Sequence, residues 1–453
     1  MRIEKVTVEN FKLFEDSSFS FHPSFNLIVG ENGSGKTSLL NLLAICMSAW
    51  REDIGHPFDV ITPDEDFLNP NNIRGLRKVT RDDLHCNLRE ESGEIREELS
   101  NYLRIESEWN GIPLPSGEYA NSRWSGFYAT GSLHPGKKGK IGFDGSTFSD
   151  LAQQNLDFFM PLLAFYSCNR LWSPSNDDYA ESRLRQSMEA TFHRHSGYFD
   201  WDRPYADEQE LRKWLLKLDI IAYQEKQVPL GLRVLQTALE GCLDKFGQLR
   251  FMAKEGQLAI FFSDGRRLLF KQLSDGQRTL FAMIGDMVRR AVLLNPQLGD
   301  KVLEETPGVV LIDELDLHLH PKWQRRIIED LRRTFPKIQF ICTTHSPFLI
   351  QSLRSGEELI MLDGYPTAEL GNKGIEEIAH SLMGIERPDV SQRYESMKQA
   401  ARSYLEMLEQ ASLTPEEKLA AFKERLADAI APYADNPAFQ AFLEMKRAAK
   451  LGE

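Results

Sequence analysis

The chain has 453 residues, of which 42% are hydrophobic and 27% are charged, and its formal net charge is −13. This length allows a large core and predicts two to four folding units. The acidic charge argues against a general polyanion-binding protein, so any contact with nucleic acid must come from a local patch. The five cysteines show no C-x-x-C spacing, which favours reduced, mostly buried thiols over disulfides or a zinc site.

No stretch of the sequence is apolar over the length that a bilayer span requires. Residues 1–11 alternate between apolar and polar as a strand does, and they lack the apolar core of a signal peptide. We therefore expect a soluble, cytoplasmic protein. A membrane transporter is excluded unless a separate chain supplies the membrane part.

The N-terminal part of the chain predicts a strand, a glycine-rich turn and a helix, in that order. Short strands are expected over residues 2–8, 19–21 and 25–29. The mostly apolar residues 37–48 predict a buried helix. Residues 51–160 are rich in Asp, Asn, Pro, Gly and Ser, which favours loops and small sheets. The basic loop Gly136–Lys140 is more simply a solvated tip than a contact to a phosphate backbone.

Strands and helices alternate in the rest of the chain. Further strands are expected over residues 162–166, 308–312 and 338–343. Helices are expected over residues 208–224, 229–246, 276–294 and 321–335. Residues 251–270 predict a β-hairpin with a turn at Ser263–Gly265. Two helices should end the chain, because Thr414-Pro415 and Asn436-Pro437 each place an N-cap residue before a proline.

Residues 30–37 read Gly-Glu-Asn-Gly-Ser-Gly-Lys-Thr and match the phosphate-binding pattern G-x-x-x-x-G-K-[ST]. The glycines let backbone N–H groups converge on phosphate oxygens, and the following helix adds its N-terminal dipole. Lys36 should reach the β- and γ-phosphates of ATP, and Thr37 should offer its hydroxyl to Mg²⁺. The residues expected to bind ATP are Gly30, Asn32, Gly33, Ser34, Gly35, Lys36, Thr37 and Ser38.

The apolar residues Val309–Ile312 predict a buried parallel strand that ends in two carboxylates. The C-terminal ends of such strands are where α/β sheets place their ligands. Asp313 should hold Mg²⁺ through water. Glu314 should polarise the attacking water as a catalytic residue.

The segment Leu273–Gln277 precedes a long apolar helix and resembles the signature sequence of ABC ATPases. In that family the serine hydroxyl, the glycine N–H and the helix N-terminus contact a γ-phosphate bound to the other subunit. The resemblance implies a head-to-tail homodimer that shares two ATP molecules. The signature residues acting in trans would be Ser274, Asp275, Gly276 and Gln277. Asp275 replaces the glycine of transporters, as in DNA-repair members of the family.

The segment Thr343–Ser346 resembles the switch-histidine segment of the same ATPases, in which the imidazole of His345 would contact the γ-phosphate. Asp316 fits the D-loop, which crosses the dimer interface in that family. His318 and His320 could suggest a metal site, but no third ligand is apparent nearby. A structural or solvated role for these two histidines is the simpler interpretation.

Two further parts of an ABC site are less distinct. Asn10-Phe11-Lys12 resembles the N-F-[KR] segment of SMC- and RecF-like ATPases, where the basic residue approaches the phosphates. A solvated lysine at a strand end explains Lys12 equally well. Candidates for the Q-loop glutamine are Gln153 and Gln154, with polar alternatives near Asn169-Arg170.

Taken together, the motifs resemble the RecF/SMC/OLD-like branch of ABC ATPases, with Asp313–Pro321 and Thr344–Pro347 typical of its AAA-21-type prokaryotic members. The resemblance implies an α/β fold: an ABC-type P-loop ATPase head with a mixed sheet flanked by helices, a mostly helical insertion and a helical C-terminal tail. ATP and Mg²⁺ are the implied cofactors. The segments expected are an N-terminal ATPase lobe at 1–50, an irregular or β-rich insertion at 51–160, a core strand and loop at 161–175, a helical insertion at 176–247, a C-terminal ATPase lobe at 248–355 and a helical region at 356–453.

The sequence after His345 contains no D-x-D pair of the kind that the TOPRIM nuclease domain of OLD proteins carries. No nuclease site of the chain's own is therefore expected. This combination resembles the ATPases of Septu anti-phage systems and of some retrons. The resemblance implies a homodimer that assembles further, an HNH nuclease partner like PtuB, DNA reached through the complex and, in a retron, a reverse transcriptase with its msDNA.

Two alternatives remain open from the sequence. A RecF-like DNA-repair ATPase would bind DNA directly and would need a basic groove. A nucleotide-switched scaffold with little turnover would keep Lys36 and the signature but would not need Glu314.

Overall fold

The structure of the protein is a computed structural model. It describes residues 1–53, 83, 85–91, 94–100, 102–113, 119–129, 132–136, 158–168, 194–198, 201, 208–252, 257–362, 373–383, 391–411 and 436–451. The chain divides into two compact units, Met1–Ile375 and Glu376–Glu453.

Fifteen strands are present in the described residues, and all belong to the first unit. They are β1 (Arg2–Phe11), β2 (Phe14–Ser20), β3 (Phe25–Val29), β4 (Cys86–Glu91), β5 (Glu94–Leu99), β6 (Tyr102–Pro113), β7 (Tyr119–Ala129), β8 (Ser132–Gly136), β9 (Leu162–Tyr166), β10 (Phe246–Met252), β11 (Gln257–Phe262), β12 (Arg267–Leu269), β13 (Gly308–Ile312), β14 (Ile338–Thr343) and β15 (Leu359–Met361).

The described α-helices are numbered in chain order. They are α1 (Lys36–Asp53), α2 (Glu208–Glu225), α3 (Leu230–Cys242), α4 (Asp275–Leu294), α5 (Val302–Glu305), α6 (Pro321–Gln324), α7 (Ile327–Thr334), α8 (Pro347–Gln351), α9 (Ile375–Met383), α10 (Gln392–Ala411) and α11 (Pro437–Leu451). Across the described ranges, no helix combines the length and the apolar character that a membrane span needs.

A parallel sheet with strand order β15-β3-β14-β13-β9 forms the centre of the first unit. Its strands β3, β9, β13 and β14 are buried along their whole length, which explains their continuous apolar sequences. Because the strands are parallel, the segments that follow β3, β13 and β14 all leave the same edge of the sheet. That edge carries the phosphate-binding loop, the Asp313-Glu314 pair and the switch segment.

A second sheet is antiparallel, with strand order β2-β1-β6-β7-β8. The segment 51–160, expected as an insertion, therefore supplies three strands to a sheet that begins at the N-terminus. Gln339 on β14 joins the two sheets, since its buried amide accepts from Ile3 N–H at 2.8 Å and donates to Ile3 O at 2.9 Å. The expected combination of parallel and antiparallel strands flanked by helices is confirmed.

Several predicted elements have different bounds in the structure. The strand predicted over 19–21 is the end of the longer β2, and the hairpin region 251–270 is part of a three-stranded sheet, β10-β11-β12. The single helix predicted over 321–335 is wrong, because Arg326 has non-helical angles and separates α6 from α7. Its guanidinium pairs with Asp244, a contact that the sequence does not reveal.

The second unit is helical where it is described. Asn436 caps α11, since its side chain accepts from Phe439 N–H at 3.1 Å, as the Asn-Pro pattern predicts. Tyr404 and Leu443 are buried. The predicted cap at Thr414-Pro415 lies outside the described residues.

Candidate nucleotide-binding site

The loop between β3 and α1 has the backbone of a phosphate-binding loop. Gly33 and Gly35 have φ angles of 87° and 99°, which residues other than glycine rarely adopt. A Cβ on Gly35 would also lie 3.0 Å from the ring of Phe14, at the start of β2. The Asn10-Phe11-Lys12 turn thus leads directly into a contact with this loop.

Lys36 and Ser34 are the polar side chains drawn into the loop. Lys36 is only 8% exposed, and its ammonium donates to Gly30 O and Glu31 O, both at 2.8 Å. The buried hydroxyl of Ser34 has no hydrogen-bond partner in the protein. Buried polar atoms are rarely left unpaired, so this hydroxyl indicates a ligand such as a phosphate. Asn32 is exposed at the loop tip, and Ser38 is half-buried in the first turn of α1.

Thr37 and Asp313 meet although they are 276 positions apart in sequence. The Thr37 hydroxyl donates to Asp313 Oδ2 at 3.1 Å and lies 3.3 Å from Oδ1. Asp313 is 2% exposed, and its backbone N–H donates to Tyr166 O, at the end of β9. A hydroxyl beside a carboxylate is a set of hard oxygen donors that fits Mg²⁺.

Glu314 follows directly and is half-buried at the same edge. Its φ angle of 50° lies in the left-handed region, which is unusual for a residue other than glycine. Strained backbone of this kind persists only where neighbouring groups hold it.

Asp316 contacts the switch segment of its own chain. Its Oδ1 accepts from the Thr344 hydroxyl at 2.5 Å and lies 3.4 Å from the N–H of His345, whose side chain is exposed. Gln324 adds a second link, donating to Leu319 O at 2.9 Å and accepting from the Ser346 hydroxyl at 2.8 Å. The D-loop and the switch segment are therefore one connected structure within a single chain.

The signature residues form the start of α4. Ser274 and Gln277 form a capping box, with Gln277 N–H donating to Ser274 Oγ at 3.3 Å and Ser274 N–H donating to Gln277 Oε1 at 3.1 Å. Gly276 packs against the D-loop, since an added Cβ would lie 2.2 Å from His318 O. Asp275 pairs with Arg278, whose hydrogen bond lowers the pKa of this exposed carboxyl.

Lys12 is held by a residue that sequence reasoning did not connect to it. The Lys12 ammonium lies 3.2 Å from Asp83 Oδ1, and the Lys12 backbone N–H donates to the Asp83 carbonyl at 3.0 Å. The ammonium also lies 5.7 Å from the centroid of the Phe11 ring. Both contacts are within the chain, so a contact of Lys12 to the phosphates stays a hypothesis.

The metal interpretation of His318 and His320 gains no support. Among the residues that the structure describes, no group of three or more His, Cys, Asp or Glu is arranged to hold a metal ion. His320 instead caps α6 by accepting from Lys322 N–H at 3.2 Å. None of the five cysteines forms a disulfide, and burial raises the pKa of Cys46 to about 12. The Q-loop candidates Gln153, Gln154, Asn169 and Arg170, and the basic residues 137–140, lie outside the described residues.

Sequence reasoning missed a buried ionic cluster behind the site. Asp286, in the middle of α4, accepts from Tyr166 Oη at 2.9 Å, from Arg290 Nε at 2.7 Å and from Arg289 at 2.8 Å. Tyr166 is the β9 residue whose carbonyl binds Asp313 N–H. The run Asp286-x-x-Arg289-Arg290 is the available sequence signal, because an acid three and four residues before arginines on an apolar helix indicates a buried ion pair.

Comparison of the chain with known proteins identifies the family to which it belongs. Residues 25–351 match the family described as "AAA domain, putative AbiEii toxin, Type IV TA system". The chain is 25% identical over 410 residues to "Retron Vc95 probable ATPase" of Vibrio cholerae serotype O1 biovar El Tor, covering 78% of this chain and 72% of that protein.

It is also 31% identical over 166 residues to "Septu protein PtuA" of Bacillus thuringiensis, covering 34% of this chain and 41% of that protein. A solved SMC head bound to the winged-helix domain of ScpA aligns with 80% of this chain and 94% of that chain, at a TM-score of 0.43 and 13% identity. The family match covers the whole stretch from the strand before the phosphate-binding loop to the helix after the switch segment. The chain therefore belongs to this AAA domain family, and it is similar to the PtuA-type ABC ATPases of the RecF/SMC superfamily.

Proposed function

We propose that the chain binds and hydrolyses ATP with Mg²⁺, as an ABC-type ATPase. The observation that carries this proposal is the meeting of Thr37 and Asp313 at the mouth of the phosphate-binding loop, from sequence positions 276 residues apart. A chance match to one short motif would not bring the second motif to the same edge of the sheet.

Each residue of this edge has a distinct task. Lys36 and the loop N–H groups bind the phosphates, and Thr37 and Asp313 hold the cation. When bound, Mg²⁺ neutralises charge on the phosphates. The Thr37 hydroxyl, which donates to Asp313, would offer its oxygen as a ligand to the cation. The carboxylate of Glu314 orients the attacking water and takes up its proton.

The experiment is ATP hydrolysis by the purified chain and by two variants. Lys36→Ala should abolish nucleotide binding and hydrolysis, whereas Glu314→Gln should keep ATP binding and lose about 10²–10⁴-fold in kcat, the usual contribution of general-base catalysis. Lys337→Ala is the matched control, because this lysine pairs with Glu305 at the opposite end of β14. Hydrolysis that survives Lys36→Ala would refute the proposal.

We further propose that this ATPase belongs to an anti-phage defence complex and controls a separate nuclease. The support is the similarity to proteins named as a retron ATPase and as Septu PtuA. The partner proposed is an HNH nuclease like PtuB, with DNA engaged through the complex and a homodimer around two ATP molecules.

Co-expression of this chain with a PtuB-like HNH nuclease tests the partner. Co-purification of the two proteins, with phage resistance that is lost in Lys36→Ala, is the expected result. Resistance that persists in Lys36→Ala would contradict a controlling ATPase. ATP-dependent DNA binding by the chain alone, at low salt, would favour the DNA-repair alternative instead.

A further inference from the structure

Thr343 lies at the point where the two carboxylates of the site are held. It is the last residue of β14, between β3 and β13, and it is completely buried. Its backbone pairs with Ile28 on β3. The phosphate-binding loop and the Asp313-Glu314 pair therefore flank it on both sides.

The Thr343 hydroxyl contacts both members of that pair. It donates to Asp313 Oδ1 at 2.6 Å and accepts from Glu314 N–H at 2.7 Å. The Thr343 carbonyl accepts from Leu315 N–H at 2.9 Å. One residue thus holds three consecutive positions of the neighbouring strand end.

These contacts act on the features that hydrolysis requires to be fixed. The Asp313 carboxylate lies between two hydroxyls, Thr37 on the loop side and Thr343 on the sheet side. Glu314 has a φ angle of 50°, a conformation that costs free energy and persists only where neighbouring groups hold the backbone. The Glu314 N–H donates a hydrogen bond to the Thr343 hydroxyl, and no aliphatic side chain at position 343 could accept it.

We propose that Thr343 is a positioning residue, which sets the orientation of the Asp313 carboxylate and the strained backbone of Glu314. The proposal rests on the ATPase function proposed above. Thr343 touches neither nucleotide nor cation in this scheme. It acts through the two carboxylates.

The first experiment separates the hydroxyl from the volume of the side chain. Thr343→Val keeps the shape and removes the hydroxyl, and we expect kcat to fall about 10–100-fold and the Mg²⁺ concentration for half-maximal activity to rise about tenfold, as for lost outer-shell contacts to metal ligands. The KM for ATP should stay within about twofold, because the phosphate-binding loop is unchanged. Thr343→Ser should restore most of the lost activity.

The matched control is Thr306→Val. Thr306 is also completely buried, and its hydroxyl accepts from Asn295 Nδ2 at 3.2 Å, ahead of β13 at the opposite end of the strand. Thr306→Val also removes a buried threonine hydroxyl, so we expect it to lower the free energy of unfolding by a similar amount. Its kcat and Mg²⁺ dependence should equal those of the wild type.

The second experiment needs no hydrolysis. Hydrogen exchange of the Glu314 amide, measured without nucleotide, should be faster in Thr343→Val than in the wild type and unchanged in Thr306→Val. ATP binding in EDTA should be the same in all three proteins, whereas Mg²⁺ should strengthen it less in Thr343→Val.

The two proposals fail in different ways. If the wild type hydrolyses ATP and Thr343→Val has the same kcat and the same Mg²⁺ dependence, the positioning role of Thr343 is overturned. A kcat of Thr343→Ser no higher than that of Thr343→Val would also overturn it. Absence of hydrolysis in the wild type would overturn the ATPase function. In that case, unchanged exchange of the Glu314 amide in Thr343→Val would overturn the positioning role as well.

Discussion

Ser274 can be explained in two ways, and both place it at the first turn of α4. As an N-cap its hydroxyl accepts from Gln277 N–H at 3.3 Å, which satisfies a backbone donor that the helix leaves open. As a signature serine it would contact a phosphate bound by a second chain. A substitution that preserves the cap and rejects the phosphate distinguishes the two roles.

Ser274→Asp is that substitution, because aspartate caps helices as well as serine does but repels phosphate. We expect Ser274→Ala to lower the free energy of unfolding by about 1 kcal/mol and Ser274→Asp to leave it unchanged. Both variants should lose ATP hydrolysis. Chemical denaturation and steady-state ATPase rates provide the two measurements.

Ser391→Asp is the control, since Ser391 accepts from Tyr394 N–H at 3.2 Å as the cap of α10 in the second unit. Its hydrolysis should be that of the wild type. Full ATPase activity in Ser274→Asp would show that Ser274 is a helix cap and nothing more.

At this scale the sequence predicted the residues whose spacing within a motif is fixed. Thr37 and Asp313 were each assigned from their own motif, and the structure brings them together. Thr343 belongs to the switch segment, but its contacts to Asp313 and Glu314 depend on the register between β13 and β14. Register between distant strands is set by tertiary packing, so neither these contacts nor the Lys12–Asp83 pair could be derived from local pattern.

Helix α4 is anchored to the central sheet by a buried charge. Burial alone would raise the pKa of Asp286, but the guanidinium groups of Arg290 and Arg289 outweigh it and hold the pKa below its usual range. Burial, followed by the Asp286 charge, raises the pKa of Tyr166. Arg290 also donates to Gly197 O at 2.9 Å. The cluster therefore ties the signature helix to β9.

Asp286→Asn tests this anchor through pH. Because the folded-state pKa lies below the unfolded value of 3.8, the ionised carboxylate stabilises the fold fully above that pH and progressively less below it. We expect the variant to lose about 3–5 kcal/mol at pH 7, as when one partner of a buried ion pair is removed. The difference from the wild type should shrink as the pH falls below 3.8.

Urea denaturation at several pH values between neutrality and the acid range measures that difference. Asp300→Asn is the control, because Asp300 pairs with Arg233 at the exposed surface. Its effect should be within about 0.5 kcal/mol at every pH. A pH-independent loss in Asp286→Asn would mean that shape, and not charge, anchors α4.

Among the elements, those with one continuous burial environment were predicted best. The apolar runs of β3, β9 and β13 are buried along their whole length, and each was predicted with the bounds that the structure has. The break between α6 and α7 was missed because no local pattern marks it; Arg326, at the break, pairs with Asp244, 82 positions away. The pairing of β6 with β1 joins Arg2 to Asn110, and no local pattern contains such a distance.

The whole molecule presents the two halves of the expected ATP site differently. The phosphate-binding loop draws Lys36 into a buried position, whereas Ser274 and Asp275 stand exposed at the start of α4. The D-loop packs directly against that start, through His318 O and Gly276. The exposed signature and the adjoining D-loop thus form one continuous surface, which suits contact with the nucleotide of a second copy.

Glu314→Gln should make that contact observable. The substitution keeps the size and the backbone position of Glu314 but removes the carboxylate that activates water, so ATP should bind and remain intact. We expect this variant to form a dimer with ATP and Mg²⁺ and to stay monomeric with ADP, because only ATP supplies the γ-phosphate that the second chain would bind. Light scattering coupled to size-exclusion chromatography gives the mass directly.

Two further variants make the outcome decisive. Lys36→Ala should not respond to ATP, because the phosphates lose the ammonium group that binds them. Glu314→Gln combined with Ser274→Asp should bind ATP and fail to dimerise, because binding uses the chain's own loop while dimerisation uses the signature of the other chain. A dimer of equal mass with ADP, or one that tolerates Ser274→Asp, would show that the subunits associate through a surface other than the shared nucleotides.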